Sequence, residues 1–373
     1  MKKKKKYTFR KFLNDVHLWL GLASGIILFL VCLSGTILAF EHEIKDAFAS
    51  ELVVEPKGEK LSITSLTEKV TAANKGVLTS INIPASADEP YIFSIKENPK
   101  ERRGTNLMVN PYTAETLVPE ANPADAFCFF FFKMHRWLLL DSAIGRPIVG
   151  VATIIFLILA VTGLVLWFPK KVKWKNVKSG FKIKTKANWK RVNHDLHNTL
   201  GFYSLIFVVI MGITGLCWSF EGYREGLSKV IGAEIFNRSS PEYQVDMSDE
   251  KVATLPEVLS TVNTELDYAG EVSVSLPGGR SPYYSVRKYN TANFSPVTYD
   301  VVYLSKAGAV LDVEKFSDKP LGMQIASLIK PLHTGEIYGY FSKIIYFITC
   351  LIATSLPVTG TLIWLNKMKK KKK

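Results

Sequence analysis

The chain has 373 residues, a formal net charge of +14 and a composition that is 47% hydrophobic. Four stretches, 18–40, 148–168, 200–220 and 344–365, contain no Asp, Glu, Lys, Arg or His. A spanning helix needs about 20 apolar residues, and lipid offers no partner to a free backbone amide, so these stretches exclude a wholly water-soluble protein.

In chain order, residues 1–17 form a basic N-terminus ahead of the first span at 18–40. That span is too long for a signal-peptide core and lacks a small-x-small cleavage site, so it reads as an uncleaved signal anchor. Residues 41–147 follow as the first outer stretch. Helical periodicity marks 62–74, and strand patterns mark 77–83, 91–96 and 106–110, closing on the turn Asn110-Pro111-Tyr112-Thr113. The aromatic run 127–132 reads as an interfacial anchor. After the second span, 148–168, comes a basic loop at 169–199 and the third span at 200–220. The second outer stretch, 221–343, carries a helix at 255–266, strands near 271–276, 283–289 and 298–304, and a turn at Ser305-Lys306-Ala307-Gly308. The fourth span, 344–365, leads into a basic tail, 366–373. Each outer stretch is expected to be a small α+β domain.

Charge predicts the topology. Residues 1–17, 169–199 and 366–373 hold 23 of the 47 Lys and Arg but only two acids, Asp15 and Asp195. The positive-inside rule places these segments in the cytoplasm, with both termini, and the two long stretches outside. Each lysine run abuts a span, so anionic lipid headgroups are the expected partner rather than nucleic acid.

The sequence also repeats. At an offset of 180, His17, Gly21, Gly35, Phe40 and Glu41 align with His197, Gly201, Gly215, Phe220 and Glu221. At 197, Val161-Thr162-Gly163 and Trp167 align with Val358-Thr359-Gly360 and Trp364. His135 and His333 precede the second and fourth spans, one residue out of register. An internal duplication follows, with two halves of helix, domain and helix.

Four of the six histidines thus form two pairs, His17 with His197 at the inner edge and His135 with His333 at the outer. Two imidazoles on facing helices can bind one haem iron from opposite sides. Gly35 and Gly215 lie 18 residues after His17 and His197, which is five turns and about 27 Å along a helix. They leave space for a flat cofactor near His135 and His333, while Gly163 and Gly360 do so near His17 and His197. Against this stands the ordinary reading of an interfacial His as a solvated side chain and of a small residue as a helix contact. His42 and His194 lack a repeat counterpart, although His194 is near enough in sequence to stand in for His197. Zinc requires three or four clustered ligands, which these pairs do not offer. There is no Cys-x-x-Cys-His for covalent haem, and no Walker loop, dinucleotide fingerprint or Gly-x-Ser-x-Gly. The four cysteines form no disulfide framework.

Asp15-Val16-His17-x3-Gly21, Met134-His135-Arg136-Trp137-Leu138-Leu139 with Gly145-Arg146, Asp195-Leu196-His197-x3-Gly201, Leu332-His333-Thr334-Gly335 and Thr359-Gly360-x3-Trp364 occur in this order. Together they resemble the PepSY-associated transmembrane family of iron-regulated membrane proteins, over nearly the whole chain. The resemblance implies a four-helix transmembrane bundle in a bacterial inner membrane with two extracytoplasmic PepSY-like α+β domains. It also implies haem b, two per chain, with His17, His197, His135 and His333 on the iron. By the same resemblance the activity is reduction of a ferric siderophore, an oxidoreductase reaction by electron transfer without a general acid or nucleophile. Some relatives carry a fused flavin reductase domain, which this sequence lacks, leaving quinol or a cytosolic reductase as donor. Two other readings stay open: a membrane-anchored PepSY binding or inhibitory module without redox chemistry, and a haem or metal transporter. A homodimer is also left open.

Overall fold

The computed structural model describes residues 7–49, 54–56, 58–98, 104–237, 239–244, 252–278, 281–291 and 293–371. The lysine run at 2–6 and the last two lysines, both used for the topology above, lie outside the described residues. The chain opens with α1 (Phe9–Leu38), α2 (Glu41–Phe48) and α3 (Ile63–Ala73), then β1 (Val77–Ile83), β2 (Tyr91–Lys96), β3 (Thr105–Val109) and β4 (Thr116–Leu117). Next come α4 (Pro123–Trp137), α5 (Ser142–Trp167), α6 (Trp174–Gly180) and α7 (Trp189–Asp195). A π-helical turn, Leu196–Leu200, joins α7 to α8 (Gly201–Ser219), and α9 (Glu221–Ile231) follows. The remainder is α10 (Leu255–Glu265), β5 (Val272–Ser275), β6 (Tyr284–Tyr289), β7 (Tyr299–Leu304), β8 (Val310–Glu314), α11 (Leu321–Thr334) and α12 (Gly339–Lys371). These elements form a helical unit (Met1–Ala47, Pro123–Ile235, Ala326–Lys373) and a sheet unit (Phe48–Asn122, Phe236–Ile325).

Among the described residues of the helical unit, four helical segments are long and apolar enough to cross a membrane: Phe9–Leu38, Ser142–Trp167, Trp189–Ser219 and Glu336–Lys369. Large apolar side chains such as Ile26, Val161 and Ile206 stay exposed on them, an arrangement suited to lipid and costly in water. α1 packs against α5 and α12, and α8 packs against the same two helices. Close approaches occur at small residues: a Cβ on Gly21 would stand 3.8 Å from Leu159, and one on Gly201 would stand 3.6 Å from Leu356. α1 begins well before the charge-free run because Thr8 caps it, its hydroxyl accepting from the Lys11 N–H. His17 therefore lies two turns inside α1 rather than at its start. Arg10 closes the far end of α5, donating to the carbonyls of Leu166 and Phe168 at 2.7 Å and of Val165 at 3.3 Å.

The sheet unit differs from the expectation of two separate domains. Its eight strands form one antiparallel sheet in the order β4-β3-β2-β1-β5-β6-β7-β8. The halves join where β1 pairs with β5, setting Ile81 opposite Val274 and Ile83 opposite Val272. The physical reason is that β1 and β5 would each be an open edge of a four-stranded sheet, and pairing satisfies their backbone groups. Two core clusters, around Leu66, Ile81 and Phe93 and around Val258, Val274 and Val286, share Ile83, Leu255 and Leu276 at this seam. α10 starts with a capping box between Thr254 and Glu257. Buried Asp300 accepts from Tyr268 Oη at 2.7 Å and from the Phe316 N–H at 2.7 Å, tying β7 to the segments around it.

Candidate functional site

The helical unit brings the four paired histidines together as two facing pairs. The rings of His17 and His197 have centres 6.3 Å apart and planes 88° to each other. Those of His135 and His333 lie 6.1 Å apart at 59°. His17 is on α1, His197 in the π-helical turn before α8, His135 near the end of α4 and His333 near the end of α11. An irregular turn of this kind re-aims side chains and is frequent at functional sites. Left-handed Leu138 and Leu139, with φ of 55° and 61°, terminate α4, and Gly335 at φ 83° terminates α11. Two successive bulky residues in that region carry backbone strain close to His135.

Each histidine has the same seat on a neighbouring helix, made of a hydroxyl residue followed by glycine. His17 Nδ1 is 2.9 Å from Thr162 Oγ1, and His197 Nδ1 is 2.9 Å from Thr359 Oγ1. Both threonine hydroxyls give their proton to a carbonyl in their own helix, of Ile158 and Ser355 respectively. They can therefore only accept from the imidazole. His135 Nδ1 donates to the Val31 carbonyl at 2.9 Å, with Ser34 Oγ at 3.4 Å. His333 Nδ1 donates to the Met211 carbonyl at 3.0 Å, with Thr214 Oγ1 at 3.1 Å. All four rings are thus set with the proton on Nδ1 and the lone pair on Nε2, the tautomer that coordinates through Nε2.

The glycines complete the seats. A Cβ at Gly35 would fall 3.0 Å from His135 Cε1, and one at Gly215 would fall 3.0 Å from His333 Cε1. At Gly163 and Gly360 the distance is 3.2 Å, to Cε1 of His17 and of His197. These glycines were expected to leave space for a cofactor, and Gly35 and Gly215 do line a cavity beside His135 and His333. All four also make room directly for the ring that would ligate the cofactor. Since Gly35 receives His135, the two pairs are separated by some 18 residues of α1, about 27 Å.

A cavity of about 410 Å³ surrounds the second pair, within the range of a cofactor site. His135, His333, Gly35 and Gly215 line it, as does Trp218, whose ring centre is 5.2 Å from that of His333. His42 and His194 belong to neither facing ring pair. His42 is an exposed side chain 3.9 Å from Glu336, and His194 is an exposed one 3.6 Å from Asp195. Buried Asp195 instead accepts from Arg191 Nε and the Lys184 N–H, bracing the turn that carries His197.

The donor set fits haem. Among the described residues no group of three or more His, Cys, Asp or Glu could hold a metal ion by itself. A porphyrin brings its own four equatorial nitrogens, so the protein needs to supply only two axial ones. An imidazole nitrogen bonds a metal at about 2.0–2.1 Å and lies about 1.1 Å from its ring centre, so two trans imidazoles have centres about 6.2–6.4 Å apart. The separation of 6.3 Å falls within that range and the one of 6.1 Å just below it. Sequence reasoning found the histidines and glycines but missed Ser34, Thr162, Thr214 and Thr359, although each directly precedes its glycine.

Fold and site define a four-helix membrane protein with two pre-set histidine pairs. The chain belongs to the PepSY-associated TM region family, whose pattern it matches over residues 15–367. None of the curated proteins matches the chain.

Proposed function

We propose that this protein is a b-type haem electron carrier of a bacterial inner membrane, with one haem held by His17 and His197 and a second by His135 and His333. Bound there, haem supplies reversible one-electron chemistry. The observation that supports the reading is the seat repeated at all four histidines, which engages each Nδ1 and leaves Nε2 as the nitrogen that would hold iron, in two pairs of facing rings. Thr162, Thr359 and the carbonyls of Val31 and Met211 fix the tautomer and orient the ring. Gly35, Gly163, Gly215 and Gly360 let the rings approach. The two histidines of each pair would hold the haem iron between them, and a haem so held would supply electron transfer rather than bind a substrate at the metal.

In this reading the basic segments lie in the cytoplasm and the sheet unit lies outside. His17 and His197 face the donor side, served by quinol or a cytosolic reductase. His135 and His333 face an extracytoplasmic ferric chelate of the siderophore type. Siderophore oxygen donors are hard ligands that hold Fe(III) better than Fe(II), so a single electron loosens the metal.

Chemically reduced protein mixed with a ferric siderophore tests the proposal, with Fe(II) trapped by ferrozine. Reoxidation of the protein with matching Fe(II) release is expected, and His333→Ala should abolish it. Reduced protein indifferent to every ferric chelate, yet reactive with another acceptor, would remove the siderophore from the proposal.

A further inference from the structure

The cavity around His135 and His333 carries positive charge that its own surroundings do not balance. Arg136 in the last turn of α4, Arg146 near the start of α5 and Lys330 on α11 all line it. Among the described residues, none of the three makes an ion pair or hydrogen bond to a carboxylate. Glu41 is the acidic residue of the lining, and Lys45 engages it at 2.8 Å. Arg136 is half-buried, with its guanidinium over the rings of Phe132 and Trp137 at 5.5 and 5.7 Å from their centres. Its charge is opposed by that of Arg146 nearby.

Arg136 is half-buried while Arg146 and Lys330 are exposed, so the three present their charge along the solvent-accessible rim of one apolar cavity, where an anion that joins them relieves their mutual repulsion. A guanidinium presents a planar fork of donors matched to a carboxylate, and two forks with an ammonium can hold two carboxylates. We infer that Arg136, Arg146 and Lys330 form a carboxylate-binding site at the mouth of the His135–His333 cavity. The site rests on the haem reading above for its role, and two sources carry the required chemistry: the propionates of the haem itself, and the carboxylates of an acidic ferric chelate. In either case the three cations fix the orientation of what docks beside the second pair. They also favour whichever redox state there carries one positive charge fewer, so electrons are drawn toward that pair.

The test uses the full chain in detergent, stripped of haem and reloaded with haem or with haem dimethyl ester, in which both propionates are esterified. If propionates occupy the site, wild type retains haem at least about tenfold longer than the ester at the second pair. Arg136→Gln and Arg146→Gln should each bring that ratio toward one and lower the midpoint potential of the second pair, with the first pair unaltered. Arg146→Lys, which keeps the charge, should preserve the potential. If the acceptor supplies the carboxylates, haem and ester load alike, but reduced wild type reacts faster with ferric citrate than with a neutral ferric hydroxamate. Arg136→Gln should then erase that preference. Wild type showing neither preference, or folded variants that keep both together with the wild-type potential, would overturn the site. Wild type that binds no haem would instead contradict the reading beneath it, and the carboxylate site then stands or falls on retention of labelled citrate by wild type and its loss in Arg136→Gln.

Discussion

In the proposed haem sites each histidine must be held with its proton on the far nitrogen, and at the residue scale Ser34, Thr162, Thr214, Thr359 and two backbone carbonyls would do so. Thr162→Val keeps the shape of its side chain but removes the acceptor for His17 Nδ1–H. Haem affinity at the first pair should fall about tenfold, the low end for loss of such a support. Thr162→Ser should restore it, and titration of stripped protein with haem measures both. Gly215→Val should be harsher, since a Cβ there already falls 3.0 Å from His333 Cε1. Loss of the second haem with the first retained is the expected spectrum. In the sheet unit, Tyr268→Phe leaves one oxygen of buried Asp300 without its donor and should cost about 1.5–3 kcal/mol in thermal unfolding. The histidines and glycines were legible in the sequence because both halves repeat them at fixed offsets. The hydroxyls were not, since a Ser or Thr beside Gly in an apolar helix ordinarily marks only a close helix contact.

Among the elements, helices and strands with clean periodicity were readable where the chain is local. The pattern over 77–83 and 91–96 corresponds to β1 and β2, and that over 255–266 to α10. Two strands escaped notice. β4 is only Thr116–Leu117, and β8 carries Asp312 and Glu314, which obscure its alternation. The β1–β5 seam leaves no local signature, because its partners are far apart in the chain and either half reads as complete. Ser80 and Ser275 face each other across the seam. The neighbouring bond from the Leu276 N–H to the Thr79 carbonyl makes theirs a non-hydrogen-bonded pair, where side chains are closest. Ser80→Cys with Ser275→Cys should therefore cross-link on mild oxidation, giving a linked peptide by mass spectrometry. Absence of that peptide in folded protein would contradict the single sheet. Arg10→Gln, which uncaps α5, should cost about 1–2 kcal/mol and show as a lower melting temperature.

For the whole molecule, the four spans were legible because nothing but a helix can bury so long a charge-free run in lipid. The cavity and its cations were not, because α4, α5 and α11 contribute to it from distant parts of the chain. The proposed orientation predicts active alkaline phosphatase fused after residues 90 and 290, and inactive enzyme after 180 and 373. The reverse pattern would invert the assignment of donor and acceptor pairs. The most direct test of the central claim is the reduced-minus-oxidised absorbance spectrum of protein purified from haem-replete cells, with a pyridine haemochrome count. The account predicts a low-spin Soret band with resolved α and β bands and about two b-type haems per chain, falling to one in His197→Ala and in His333→Ala alike. Folded protein that is colourless, or whose spectrum survives both substitutions unchanged, would contradict it.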